Sequence, residues 1–294
     1  MSVSTSSSSV EEQVITPAKE VEQIQLLAAV EDEYGGVVVK IQDDQPVDSE
    51  VFTSLLRASM SQWKQKRKKG VWIKLPIRHS NLVDATVKEG FRYHHAEPDY
   101  IMLVHWIPET VDTLPPNASH RVGIGAFVVN SKREVLVVQE ASGFFRDTGI
   151  WKLPTGVVNE GEDIFRAAVR EVKEETGIET EFVEILAFRE SHKAFFRKSD
   201  LFFVCMLKPL TFEIQKQDSE IAAAQWMPIE DYAAQPFVKE NKQFDCVAQI
   251  CSAKLDKDYA GFTLGITTSS GKTRYLYFNN RNMANLKISG DDQQ

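Results

Sequence analysis

The 294-residue sequence has few cysteines, only three. Cys205, Cys246 and Cys251 match no zinc-ligand spacing and are too few for a disulfide framework, which points to a reducing compartment. Cys205 stands in the apolar run LFFVCML and is expected in a core; Cys246 and Cys251, in one helical stretch, are expected to pack as well. No apolar run reaches the roughly 18 residues that a membrane-spanning helix needs. Basic charge is in deficit, with 34 Lys and Arg against 42 Asp and Glu and a net charge of −8. The one dense basic cluster, KQKRKKG at Lys64 to Gly70, reads as a helix end, where cations complement the dipole, and not as a nucleic-acid patch. The Ser-rich N-terminus lacks the apolar stretch of a secretory leader and the arginines of a transit peptide, and it carries Glu11 and Glu12. It reads as a disordered tail over 1–27, with the protein in the cytosol and open to the nucleus. No internal repeat is present.

What is there in full is one motif. Gly156 to Ile178, GVVNEGEDIFRAAVREVKEETGI, reads G-x5-E-x7-R-E-V-x-E-E-x-G-I. Gly156 to Gly161 favours a loop, since glycine and asparagine tolerate non-helical backbone. From Glu162 the pattern is helical: Phe165, Ala168, Val169, Val172 and Thr176 recur at three- and four-residue steps on one face. Glu171, Glu174 and Glu175 are expected on the opposite face, and Gly177 is placed to end the helix. Like charges at these spacings destabilise a helix by roughly 0.2–0.5 kcal/mol per pair. A divalent cation reverses that sign, and hard carboxylate oxygens suit Mg2+ or Mn2+, shared with substrate phosphates. Glu171 and Glu175, one turn apart, lead as ligands, with Glu174 beside them and the Gly156 carbonyl as a further oxygen. Arg170 is expected to pair with a carboxylate of the motif and fix it, with a contact to phosphate as the second option.

The hydrophobic content of 43% is that of a globular protein, and the length favours two domains. Both are expected to be α/β. An N-terminal domain over 28–110 reads β-α-β-α-β-β. Its first helix is capped by Asp48 and buries Phe52, Leu55, Leu56, Ser59 and Trp63; its second is capped by Asn81. His94 and His95 are neighbours on an expected strand, whose alternation sends one to the core and one to the surface. A Pro-rich linker spans 111–118. The second domain, over 119–260, begins with VGIGAFVVN and EVLVVQE, read as a hairpin across Asn130, Ser131 and Lys132. Further strands then surround the acidic helix, and helices are expected over Ile229 to Ala234 and Glu240 to Leu255. The C-terminal extension, 261–294, holds one expected strand, RYLYFN, and a polar tail.

The motif is the Nudix box with every defined position filled. The chain resembles plant Nudix hydrolases acting on ADP-ribose and NADH, through KKGVWIKLP, EGFRYHHAEPDY, LPPNASHRVGIGAF and EILAFRESHKAFF, which lie outside the box. The resemblance implies an acetyltransferase-like N-terminal fold, an α/β/α sandwich with a mixed sheet for the second domain, and a homodimer. It implies hydrolysis of ADP-ribose to AMP and ribose 5-phosphate, and of NADH to AMP and reduced nicotinamide mononucleotide. It makes Arg170, Glu171, Glu174 and Glu175 catalytic. The general base is open between a box glutamate, Glu220 in KQDSEIAAAQW, and Glu140. Trp151 and Lys152, entering the box loop, are candidates to stack a base or touch phosphate; Arg189, His192 and Phe195 lie where family specificity residues gather. The array SQPWPFPxS of one NADH diphosphatase group is absent, as are motifs for coenzyme A. Two other readings stand beside this one: a nucleotide-sensing module with little turnover, and a hydrolase of coenzyme A, capped RNA or an oxidised nucleotide.

Overall fold

The computed structural model describes residues 25–41, 47–256, 259–269 and 272–281. The tail expected over 1–27, up to residue 24, and the polar C-terminal tail beyond Arg281 lie outside the described residues. The chain forms two compact units, divided between Ala118 and Ser119.

The first unit holds β1 (Ala29–Glu31), β2 (Val37–Lys40), α1 (Ser49–Gln65), β3 (Gly70–Pro76), a 3-10 turn (Ile77–His79), α2 (Leu82–Lys88), β4 (Arg92–Glu97) and β5 (Tyr100–Trp106). Its sheet runs β1-β2-β3-β5-β4, with β2 and β3 parallel and the other neighbours antiparallel. Asp48 caps α1 by accepting from the backbone N–H groups of Glu50 and Val51. Phe52, Leu56, Ser59 and Trp63 are buried, and Leu55 is half-buried. Asn81 makes no side-chain cap; its amide donates to the Val47 carbonyl instead. The expectation for His94 and His95 is overturned. A β-bulge between Tyr93 and His95 interrupts the alternation, both rings are half-buried, and their Nδ1 atoms meet at 2.6 Å.

The second unit holds β6 (His120–Val128), β7 (Glu134–Glu140), β8 (Thr155–Val157), α3 (Ile164–Thr176), β9 (Thr180–Phe195), β10 (Lys198–Pro209), β11 (Ile221–Pro228), α4 (Ile229–Ala234), α5 (Pro236–Glu240), α6 (Lys242–Asp256), β12 (Phe262–Ser269) and β13 (Lys272–Phe278). A six-stranded sheet runs β13-β12-β9-β10-β6-β8; β10 and β6 are parallel and the rest antiparallel. β7 pairs with β11. The expected hairpin of β6 and β7 therefore does not form beyond a bridge of Val129 and Val135, because β8 and β10 already occupy both edges of β6. A strand unforeseen in the sequence, β12, joins β9 and carries β13, so two strands follow residue 261 where one was expected.

Alternation on β6 sorts the two layers. Ile124, Ala126 and Val128 face the core shared with Ala167, Ala168 and Val172 of α3. Phe127 faces the other way, into a core with Ile229 and Tyr232 of α4, Val238 of α5, and Ala248 and Cys251 of α6. Each fully buried aliphatic side chain contributes about 1.5–3 kcal/mol, so both layers are held on the sheet mainly by burial. Cys205 and Cys251 are buried as expected; Cys246 is exposed, because it falls off the apolar stripe of α6.

Candidate active site

The three residues of β8 separate two environments. Thr155 pairs with Gly125, Gly156 with Ile124, and Val157 with Gly123. Gly156 turns toward α3, and a Cβ there would lie 1.8 Å from Cδ of Glu171. Glycine is thus required for the box carboxylate to approach the strand. Glu171 then accepts from the Val157 N–H at 3.2 Å.

The helix starts at Ile164, two residues later than the spacing predicts, with Asp163 at the cap position. It ends at Gly177, whose φ of 73° is left-handed. The next segment crosses this end. The Gln215 N–H donates to the Thr176 carbonyl at 2.8 Å and the Gln217 N–H to the Glu175 carbonyl at 3.0 Å. These bonds satisfy orphan carbonyls of the last turn. They also carry the chain toward Glu220, whose charge acts on Glu175.

The expected face assignment fails at one residue. Glu174 is exposed, but Glu175 is buried beside Ala168, Val172 and Thr176, whereas Phe165 and Val169 are only half-buried. Burial pushes the Glu175 carboxyl up to about 8, reinforced by Glu171 and Glu220 and opposed by Lys152 and the Thr155 N–H. Among the described residues its Oε2 has no hydrogen-bond partner. Glu171 is likewise held above the ordinary carboxylate range by burial, even beside Arg170. Desolvated carboxylates with an orphaned oxygen are what a hard divalent cation would satisfy, so these residues fit Mg2+ or Mn2+.

Arg170 organises the rest. Its Nε and Nη2 grip Glu162 at 2.7 and 2.9 Å, Nη1 reaches Glu171 at 2.9 Å and Glu174 at 2.8 Å, and Nη2 also donates to the Val157 carbonyl at 2.9 Å. The Arg170 guanidinium holds Glu162 below the usual carboxylate range. One residue therefore ties the box loop, β8 and two box carboxylates together, as its planar fork permits. Among the described residues no three His, Cys, Asp or Glu side chains already converge as a cation cage.

On the other side of β8 lies a cavity of about 520 Å3. The strand register explains its floor. Gly125 neighbours Thr155 and Val204, Val204 neighbours Ala187, and Phe202 neighbours Arg189, all on one sheet face. Phe202 lies over the glycines of β6: a Cβ on Gly125 would come within 2.8 Å of its ring. The Arg189 guanidinium stacks on Phe202 at 4.8 Å from the centroid. Phe145 and residues of α4 and α6 form the opposite wall.

Lys152 joins the two environments. Gln235 clamps the Trp151 backbone through both amide atoms, and the Lys152 backbone bonds Val138 in both directions. The Lys152 side chain is buried, with its ammonium 2.5 Å from Glu140 and 2.7 Å from the Thr155 hydroxyl. Of the residues singled out in the sequence, Lys152, Glu140 and Arg189 line the cavity, and Glu220 is exposed at the start of β11. Three others fall elsewhere. Trp151 is half-buried against the core that Phe127 shares with α4, α5 and α6. His192 bonds Ser199 at 2.9 Å, and Phe195, at the β9–β10 turn, stacks with Arg121. These two sit beyond the cavity because β9 runs on past Arg189 as a long hairpin arm. Phe145, Phe202, Gln243 and Phe244 line the cavity without having been foreseen. The one signal, and for Phe202 alone, was the Gly123-x-Gly125 alternation, which leaves room over a strand for a neighbour's ring.

Comparison with known proteins agrees with this arrangement. Residues 27–107 match the model of a Nudix hydrolase domain and residues 119–247 that of the NUDIX domain. Nudix hydrolase 7 of Arabidopsis thaliana is 56% identical over 92% of this chain and 96% of its own length. Nudix hydrolase 2 of the same plant is 59% identical over 88% and 92%. Human nucleoside diphosphate-linked moiety X motif 6 is 37% identical over 69% and 65%. The relatives span both units, and the chain belongs to the Nudix hydrolase family.

Proposed function

We propose that the protein is a Mg2+- or Mn2+-dependent hydrolase that cleaves the diphosphate of ADP-ribose to AMP and ribose 5-phosphate, and of NADH to AMP and reduced nicotinamide mononucleotide. The observation that carries this is Glu175, buried and with an oxygen that has no partner among the described residues, one strand away from a cavity of about 520 Å3. A cation site and a nucleotide-sized cavity separated only by β8 suit a substrate whose diphosphate lies between them.

Glu171, Glu174, Glu175 and the Gly156 carbonyl would hold the metal, which supplies Lewis-acid polarisation of the phosphate oxygens and offsets charge at phosphorus. Arg170 orients Glu171 and Glu174 and restrains the box loop through Glu162. Lys152 offers its ammonium to a phosphate oxygen from the cavity side, steadied by Glu140. Water attacks phosphorus and the bond to the bridging oxygen breaks. Glu220, an exposed carboxylate whose charge acts on Glu175, accepts the proton of that water in this reading. The homodimer implied by the plant resemblance is part of this reading, and light scattering checks it. The decisive assay is AMP formation from ADP-ribose and NADH, ranked by kcat/KM against coenzyme A, capped RNA and oxidised nucleotides. A higher kcat/KM on one of the latter would move the substrate assignment; no turnover on any would support a sensing module instead.

A further inference from the structure

The arm formed by β9 and β10 ends in a turn that its residues disfavour. Phe195 pairs with Lys198, so Phe196 and Arg197 are the two central residues. Both have positive φ, 42° and 69°. A two-residue hairpin turn with such a backbone favours Asn-Gly, and larger L-residues are strained in it. Lys193, inside the adjoining register shift, is left-handed as well, with a φ of 58°. The strain does not serve burial. Phe195 is 51% exposed and Phe196 86%, with their ring centroids 4.7 Å apart at 76°.

The charge of this tip is opposite to that of the chain, whose net charge is −8. Arg121, Lys193 and Arg197 are exposed and make no ion pair among the described residues. Arg121 lies over the Phe195 ring, 5.3 Å from its centroid. The acidic residues of the arm nearby are already engaged: Glu190 bonds His120 at 2.8 Å, and Asp200 pairs with Arg189 at 3.3 Å. Two exposed rings ringed by three free cations match a surface that is anionic outside and apolar beneath.

We propose that the tip of the β9–β10 arm docks the protein on an anionic lipid bilayer. Phe195 and Phe196 enter between the headgroups, and Arg121, Lys193 and Arg197 lie against the headgroup anions. Each such cation strengthens binding about fivefold, and three together about a hundredfold. The contact is peripheral, since no helix among the described residues is long and apolar enough to cross a membrane. A two-residue turn is convex and offers no groove to a peptide. Rings set at 76°, one of them under Arg121, present no parallel pair of faces for stacked bases. Repulsion of the remaining, acidic surface orients the approach tip first. None of these residues lines the cavity of about 520 Å3 or belongs to the box, so docking is separable from hydrolysis.

The test is co-sedimentation of the full-length protein with vesicles of equimolar phosphatidylcholine and phosphatidylserine, and with vesicles of phosphatidylcholine alone. Binding to the mixed vesicles at low salt is expected, and affinity should fall at least about tenfold without phosphatidylserine. The double variant Phe196→Asn, Arg197→Gly installs the residues that the turn favours and removes one ring and one cation. Its melting temperature is expected to hold or rise, while its affinity for the mixed vesicles falls about tenfold or more. Lys193→Glu should weaken vesicle binding by about tenfold or more and leave hydrolysis unchanged. No binding of the wild type to mixed vesicles, equal binding to both kinds, or binding untouched in both variants overturns the inference. A wild-type preference for an oligouridylate over the vesicles, or a wild-type dimer that dissociates in the double variant, overturns it too, because either result identifies another occupant of the tip.

Discussion

Replacing Glu175 by glutamine keeps the shape of a buried side chain and removes its charge. In the metal-free protein the Glu175 carboxyl lies at about 8 instead of its ordinary 4.5, chiefly through burial. A raised carboxyl means that the folded state holds the proton more tightly than the unfolded chain. Its favourable contribution is complete below pH 4.5 and is lost as pH rises through 8. That displacement corresponds to about 5 kcal/mol in full, of which about 1 kcal/mol is already lost at pH 5 and about 4 kcal/mol at pH 8. Glutamine does not titrate, and any cost of its unsatisfied amide is the same at both pH values. In EDTA, the stability of Glu175→Gln relative to wild type should therefore rise by about 3 kcal/mol between pH 5 and pH 8. Urea unfolding of the two proteins at each pH, followed by tryptophan fluorescence, measures this difference, and groups that do not interact with Glu175 cancel. Saturating Mg2+ should erase the advantage at pH 8 by stabilising the wild type alone. A difference that stays flat with pH in EDTA would refute the account of Glu175 as a desolvated, cation-seeking carboxylate.

Other consequences are as specific. Gly156→Ala places a Cβ 1.8 Å from Glu171 Cδ; the displaced carboxylate should raise the Mg2+ concentration for half-maximal activity about tenfold or more, read from a metal titration of turnover. Arg170→Lys loses the bidentate grip on Glu162 and the bond to the Val157 carbonyl; melting in EDTA should show a loss of about 1–2 kcal/mol, with kcat falling more than KM rises. Lys152→Met removes the cation that opposes the raised Glu175 carboxyl; the acidic limb of the kcat/KM profile with pH should move upward, and KM for ADP-ribose should increase.

Much of the site could be read from the chain because a nine-position motif fixes spacing, and spacing on a helix fixes neighbours. Arg170 and Gly177 do what their residue types and positions imply, whereas Gly156, expected to open a loop, lies in strand β8, where a Cβ would meet Glu171. Glu175 departed from its expected face because periodicity says which residues share a side, not how wide the buried stripe is. The Thr155–Gly156 strand and the loop from Gln215 to Gln217 close over the end of α3 and bury it. Partner choice between strands was also hidden: β6 lost β7 to competition from β8 and β10, which only the assembled sheet decides. His94 and His95 met because of a bulge, a feature that alternation arguments leave out. The cavity walls come from residues about a hundred positions apart, Phe145 and Phe244, brought together by packing against Phe237 and not by any local pattern.

The most direct test titrates Mg2+ or Mn2+ calorimetrically into the protein with a non-hydrolysable ADP-ribose analogue bound. Uptake by the wild type that disappears in the Glu171→Gln, Glu175→Gln double variant is the predicted result. No uptake by the wild type, or the same uptake by the double variant, would contradict the claim that these box carboxylates gather the cation a diphosphate shares.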